Sequence, residues 1–560
     1  MTQLHGTGLT GFWRRHKTDV GGAMSHSYHF GPVVASVLRA GAWLLVFGGV
    51  GWIGGVALAQ VPGEAGPFDA GAQKSLVDGK AAKEFADYDR ALAKAQVGDF
   101  EGAIADFDRL IVLKSWDGLA YALRGATRMR RGDLAAALAD CNRALELDPD
   151  LSTAYRYRAG VWLAQGEFAK AIADAGKALE LDPKDAVAFA IRSGAHLATG
   201  NQDGALADAE GAVAAAPKLA IGYHHRGNAR QARGDVDGAL LDLTRAIELD
   251  RTDAVACANR GAVQLAKRDW EAAVRDCSRA LELHPGIATA YRNRAEARAN
   301  LGDQAGAAED VEQALALGLK DAWMRRGGAE AMRERGGAKF VGGDLKGALA
   351  DLGGALLLNE QDVAALTLRG FVRMVAGDLD GAFADSERAI ALDGQSADAL
   401  QVRGSVRYLR RQWPEAAEDF RRAGELSGAV RESAQFFLWL SRARGGDRAG
   451  ADREVAASLD GRAESDWMAM LGGFLTGRQT EEALLAAVKN ASDAEAQRLR
   501  QCQGTYYAGV VRLLAGDRAG ARELFRQCAD TGQTLVTEFC FAKGEETELG
   551  GSEGDAVRKN

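Results

Sequence analysis

The sequence predicts an all-α solenoid of about twelve stacked repeats, and three observations predict it. Short motifs such as GDLAAALADCNRALELDP and GEFAKAIADAGKALELDP recur. Their central alanines, from Ala103 through Ala137, Ala171, Ala205, Ala239 and Ala273 to Ala307, step by 34 residues without a gap. A fixed period of this size marks an architecture in which each repeat buries its apolar face only by stacking on its neighbours. Glycine, 69 of 560 residues, returns at one place per repeat (Gly98, Gly132, Gly166, Gly200, Gly234, Gly302 and onward), as a tight turn between two helices requires. Pro149, Pro183, Pro217 and Pro285 stand where a second helix must stop.

Composition removes several other classes. A chain with 47% hydrophobic and 26% charged residues is not disordered. High glycine with only 8 prolines excludes a collagen, a Pro-rich linker protein or a mucin-like stalk. A net charge of −8 argues against a nucleic-acid footprint, and six cysteines are too few for a disulfide framework.

In chain order, residues 1–59 read as a signal peptide or a membrane anchor. No charge occurs from Ala40 to Gly63, and Arg14, Arg15, Lys17 and Arg39 precede the apolar run. The Ala57-Leu58-Ala59 end favours cleavage after Ala59; initiation at Met24 would give a basic region of ordinary length. The run is also long enough to stay as a membrane helix. No cysteine precedes Cys141, so no lipid-attachment site is present there. Residues 60–83 are a linker and lead-in helix.

Seven repeats begin at residues 84, 118, 152, 186, 220, 254 and 288, giving a first block over 84–321. The insertion AWMRRGG (322–328) breaks the phase. It reads as a loop extension, a kink between blocks, or a basic bump through Arg325 and Arg326. Four repeats follow over 329–465, with central alanines Ala348, Ala382, Ala416 and Ala451. Repeat position 8 is small (Gly125, Gly227, Gly261, Gly336, Gly370, Gly404), with Trp439 the exception; position 20 is the aligned alanine; position 27 is mostly alanine. These small residues let two helices cross closely. A unit of this length and signature resembles the tetratricopeptide repeat. The resemblance implies helix–turn–helix units in a right-handed solenoid whose first helices line a concave groove. It further implies binding of extended peptides or partner helices in a scaffolding role, without catalysis.

Residues 466–549 carry a second resemblance. DWMAMLGGFLTGRQTEEALLAAV, RQCQGTYYAGVVRLLAGDRAGARELFRQC and TEFCFAKGEETEL look like the C-terminal region of NlpI-type repeat proteins of the bacterial envelope. This implies a helix pair led by Trp467, a final repeat at 502–535 and a capping helix. Those relatives are lipoprotein adaptors that bring cell-wall hydrolases and a processing protease together. This chain has no lipidation cysteine and more repeats. The tail, 550–560, is expected to be disordered.

Candidate site residues are few. Gly6-Thr7-Gly8-Leu9-Thr10-Gly11 fits a dinucleotide fingerprint without the strand it needs, and no phosphate loop, HExxH, GxSxG or CxxC occurs. No cofactor or metal is expected. The groove candidates are His224 and Asn228 (positions 5 and 9), Asn259 (position 6), Arg292 and Asn293 (positions 5 and 6), and Arg156 with Tyr157. Asn228 and Asn259 match two positions of a peptide-carboxylate clamp found in repeat cochaperones. His224, Thr289 and Asn293 stand where that clamp is basic. Capture of a peptide backbone by the amides is therefore expected rather than capture of a carboxylate. His224-His225 are groove-lining or structural, there being no spaced ligands for a metal beside them. Cys141 and Cys277 at position 24 read as small core residues. Cys502 faces Cys528 across its helix pair, with Cys540 competing, and Cys257 faces Cys277, so either pair is a possible bridge in an oxidising compartment. Trp323, Trp413, Trp439 and Trp467 read as packing residues.

The expected function is a non-enzymatic scaffold or adaptor in the bacterial cell envelope, exported to the periplasm. Its partners are other envelope proteins, cell-wall hydrolases among them by resemblance, with no nucleic acid and membrane contact only through 40–59. The alternative is an inner-membrane-anchored assembly factor for secretion or surface-polymer export, with the repeats in the periplasm. An enzyme site within 466–549 has no acid–base or nucleophile constellation to support it.

Overall fold

The computed structural model describes residues 79–557, except 460–462 and 464–465. The leader, the cleavage position after Ala59, and residues 60–78 and 558–560 lie outside the described residues. The described chain is all-helical, with no strand among the described residues, and it divides into two compact bodies between Met324 and Arg325.

In the first body, Gly79–Gln96 pairs with Phe100–Leu113, and six further antiparallel pairs follow. They run from Gly118–Arg131 with Leu134–Leu147 to Ala288–Asn300 with Gln304–Ala316. We call the first helix of each repeat A and the second B. Each A helix also packs on the next A helix, more closely than successive B helices approach one another, so the A helices line the inner side of this stack. The turn between A and B is the same throughout. A glycine with positive φ, such as Gly234 at 83°, is followed by a polar N-cap residue, which in most repeats caps through its side chain, as Asp235 does by accepting from Gly238 N–H at 2.9 Å. Arg268 and Arg411 occupy the glycine place in two repeats, at φ 61° and 62°, a conformation costing a side-chain-bearing residue about 1 kcal/mol.

The small residue at position 8 has a direct steric cause. A Cβ on Gly261 would stand 2.6 Å from Cys277 Sγ, and one on Gly227 would stand 2.8 Å from Leu243 Cγ. The aligned alanines are almost completely buried. Cys141 and Cys277 are fully buried core residues, and burial pushes the Cys141 thiol up to about 12.

In the second body, a π-helical turn at Met324–Gly328 belongs to the insertion and exposes Arg325 and Arg326. It leads into four pairs, from Ala329–Val341 with Leu345–Leu358 to Arg431–Arg444 with Arg448–Ser458. Trp439 at position 8 is buried and donates through Nε1 to Asp452 at 2.7 Å. The C-terminal region has a short pair, Trp467–Leu475 and Glu481–Ala487, then Ala494–Leu514, Arg518–Asp530 and Thr537–Val557. The last repeat's A helix therefore begins eight residues before the expected start at 502, capped by Asp493, which accepts from Ala496 N–H. The terminal helix packs back onto Ala397–Leu409: Tyr408 and Phe541 stack at 4.3 Å, and the Tyr408 and Tyr506 hydroxyls are 2.9 Å apart. That helix continues to Val557, into the stretch expected to be disordered. No proline interrupts its backbone hydrogen-bonding there, so the expected boundary at 549 is not a helix end.

Candidate functional site

The groove of the first body rests on two ladders of polar contacts. The first joins A to B within each repeat. Position 7 is arginine and position 23 aspartate in the first ten repeats, always 16 residues apart. Arg192 holds Asp208 through Nε and Nη2 at 2.8 and 2.6 Å; Arg260 holds Asp276 at 2.6 and 2.7 Å; Arg294 holds Asp310 at 2.9 and 2.7 Å. In several repeats a second arginine, at position 11, closes on the same carboxylate, as Arg230 does on Asp242 at 2.6 Å. Most of these aspartates are buried, so each depends on its guanidinium partners. Sequence reasoning missed this ladder, although arginine every 34 residues, from Arg90 to Arg294, was its visible signal.

The second ladder joins an A helix to the next and recurs only in every second repeat. Position 5 reaches the N-cap aspartate of the following A helix in three repeats, Tyr88 to Asp117, Arg156 to Asp185 and His224 to Asp253, while Arg292 reaches Asp321, which accepts from Met324 N–H. The intervening repeats carry Ala122, Ala190 and Ala258 there. Two residues singled out from the sequence, Arg156 and His224, thus lock one repeat to the next, and Arg292 ties its helix to the end of the seventh repeat. His224 and Arg292 are buried as a result, as is Asn293.

The structure brings His224, Asn228 and Asn259 together. Asn259 Nδ2 donates to Asn228 Oδ1 and to His224 Nε2, both at 3.0 Å, while His224 Nδ1–H donates to Asp253 at 2.9 Å. These bonds fix the imidazole tautomer and the orientation of the Asn259 amide. Asn259 Oδ1 and the Asn228 amino group have no partner among the described residues, and both residues are half-buried. One acceptor and two donors are the complement of a peptide unit in an extended chain. His225 stacks on His224 at 5.6 Å, against Gly194, where a Cβ would lie 3.3 Å from its Cε1. Burial, and then the neighbouring His224, push the His225 imidazole down to about 3.

Arg292 and Asn293 form a second group, with Arg292 Nη1 donating to Asn293 Oδ1 at 2.9 Å. Glu296 at 2.8 Å and Asp321 at 3.0 Å balance its charge, and its guanidinium lies over Trp323. Arg156 and Tyr157 form a third, stacked at 4.8 Å beside Asp185. Both arginines are neutralised within the protein, so neither offers free positive charge for a peptide carboxylate.

All six cysteines are free and buried. Cys502 and Cys528 stand side by side with Sγ atoms 2.9 Å apart, and burial pushes the nearby Cys540 thiol up to about 12. Among the described residues no group of His, Cys, Asp or Glu is placed to hold a metal, and no helix is long and apolar enough to cross a membrane.

Tetratricopeptide-repeat family models match residues 88–152, 152–185 and 259–322. The chain is a tetratricopeptide-repeat protein. Matched segments cover under a third of it, and the helix pairs described above extend the same architecture on either side. No curated protein matches the sequence. Solved structures similar to it include a tetratricopeptide-repeat protein from Parabacteroides merdae (17% identity, 45% of this chain and 99% of that one, TM-score 0.35). Another is YrrB, described as a repeat protein with an unusual peptide-binding site (23%, 33% and 95%, TM-score 0.25). A third is a thermophilic repeat protein from Thermus thermophilus (21%, 32% and 98%, TM-score 0.30). Superpositions this partial say nothing of what this chain binds. The tetratricopeptide repeats themselves mark a protein–protein interaction scaffold.

Proposed function

We propose that the protein is a non-enzymatic adaptor of the bacterial cell envelope that holds an extended segment of a partner over the A helices of its fifth and sixth repeats. The observation that carries this reading is the Asn228–Asn259–His224 network. It holds two amides rigidly and leaves one acceptor and two donors outward. The charge balance at Arg156 and Arg292 favours a backbone-reading groove over a carboxylate clamp. Cell-wall hydrolases are partner candidates through the likeness of residues 466–549 to NlpI-type adaptors. Export rests on the basic flank, the uncharged run from Ala40 to Gly63 and the Ala-Leu-Ala end. The same run supports the alternative of an anchored assembly factor.

Selection from a displayed library of linear peptides by the full chain tests the groove; repeated rounds without enrichment would remove this reading. The intact mass of the natively expressed protein tests export. Loss of residues 1–59 supports a periplasmic adaptor, a membrane-bound full-length chain supports the anchored form, and a soluble full-length chain contradicts both.

A further inference from the structure

A regularity on the seam between repeats is broken once. Position 4 of the A helix is aromatic in five of the six stacked repeats of the first body: Tyr121, Tyr155, Phe189, Tyr223 and Tyr291. Each ring is half-buried against the preceding B helix and lies under the position-7 arginine of its own helix. The guanidinium-to-ring distances are 5.2 Å at Tyr121, 5.4 Å at Tyr155, 5.8 Å at Phe189, 5.4 Å at Tyr223 and 5.6 Å at Tyr291. In the sixth repeat the residue is Cys257. Arg260 above it keeps its two bonds to Asp276 but covers no ring. At this place the surface opens into a pocket of about 300 Å³ lined by Ile247 and Cys257, with Thr244, Glu248, Arg251, Arg260 and Arg279 around them.

The surrounding groups say which ring fits. Where position 4 is tyrosine, position 26 of the same repeat is basic in three cases: Arg143 with Tyr121, Lys177 with Tyr155, Arg245 with Tyr223. Where it is Phe189, position 26 is Gly211, whose Cβ would stand 2.8 Å from the ring. The open pocket carries Arg279 at position 26, which is the tyrosine pattern. Tyr223 also donates its hydroxyl to the Pro217 carbonyl, at position 32 of the preceding repeat. The equivalent residue here is Arg251, on the pocket wall.

We propose that this pocket takes a tyrosine side chain presented by a partner protein. The ring enters between the fifth and sixth repeats, stacks under the Arg260 guanidinium on Ile247 and Cys257, and sets its hydroxyl toward Arg279 and the Arg251 carbonyl. It reproduces in trans the contact that five repeats make in cis, with cation–π attraction and apolar burial as the driving terms. None of its lining residues belongs to the Asn228–Asn259 network, so it stands or falls apart from the groove.

The test uses the full chain and N-acetyl-L-tyrosinamide, with N-acetyl-L-phenylalaninamide and p-cresol as controls, followed by ligand-observed NMR titration. The expected result is saturable binding of the tyrosinamide, tighter than the phenylalaninamide. It should be lost at least tenfold in Cys257→Tyr, which fills the pocket from within and raises the melting temperature. Arg279→Ala, a change at an exposed position, should abolish the preference for tyrosine over phenylalanine and covers the case in which Cys257→Tyr fails to fold. Equal binding by wild type and Cys257→Tyr, or a tyrosine preference unchanged in Arg279→Ala, would overturn the assignment. So would binding of p-cresol without the tyrosinamide, which points to a free phenol rather than a partner's side chain. Groove variants at Asn228 and Asn259 should leave the titration unchanged.

Discussion

His225 sits beside His224 and Asp253 and is kept unprotonated by burial, with a value near 3 in the folded chain against about 6.5 when unfolded. Between those two values the unfolded chain takes up a proton that the folded chain refuses. Stability therefore falls as pH drops below about 6.5, with a limiting slope of about 1.4 kcal/mol per pH unit for this one group. Carboxylates elsewhere titrate over the same range, so the readout is a difference. Denaturant unfolding from pH 7 to pH 4 should show a shallower loss for His225→Phe than for wild type, and parallel curves would contradict this role. His225 was legible in the sequence only as one of a histidine pair. Its packing against Gly194 across the helix interface is a contact made by another repeat.

Within a helix pair, the Arg–Asp ladder does what apolar packing cannot do in so alanine-rich an interface. Helices this small in side chain approach closely but bury little area each, and the bidentate pair fixes how one slides along the other. Asp242 binds both Arg226 and Arg230 and is nearly inaccessible. Asp242→Ala leaves two guanidinium groups facing a closed interface and should destabilise the first body by about 3 kcal/mol. Chemical denaturation measures this; a loss below about 1 kcal/mol would show that solvent relieves the pair. The turn glycines and the small residues at position 8 were readable from the 34-residue phase, because each follows from local geometry repeated many times. The ladder obeyed the same period but was invisible to a search keyed on small and apolar positions. The facing of Cys502 and Cys528 was readable as well, since antiparallel pairing alone places position 1 opposite position 27.

At the scale of the whole molecule, period and phase were enough for the repeat stack and for the break near 322–328. They were silent on the return of the terminal helix onto Tyr408 through Phe541, and on the Tyr408–Tyr506 contact between residues 98 apart. No repeat predicts it, because it depends on side chains that occur once. Phe541 is fully buried between Tyr408, Phe437 and Tyr506. Phe541→Ala should cost the second body about 3–5 kcal/mol. Calorimetry measures this as a fall in melting temperature, and an unchanged transition would contradict the role given to Phe541.

The candidate groove residues were legible as positions but not as partners. Positions 5, 6 and 9 face inward in any such repeat, yet which of them hold the stack together and which remain open is decided by Asp185, Asp253 and Asp321, the last residues of their repeats. Asn228 and Asn259 are the pair left with open hydrogen-bonding groups. The most direct measurement is calorimetric titration of a library-selected linear peptide into the wild-type chain and into the Asn228→Ala, Asn259→Ala double variant, with melting curves of both proteins. The account predicts affinity about tenfold weaker or more in the variant, matching one to two lost hydrogen bonds, with the fold retained. Equal affinities for a folded variant would contradict it.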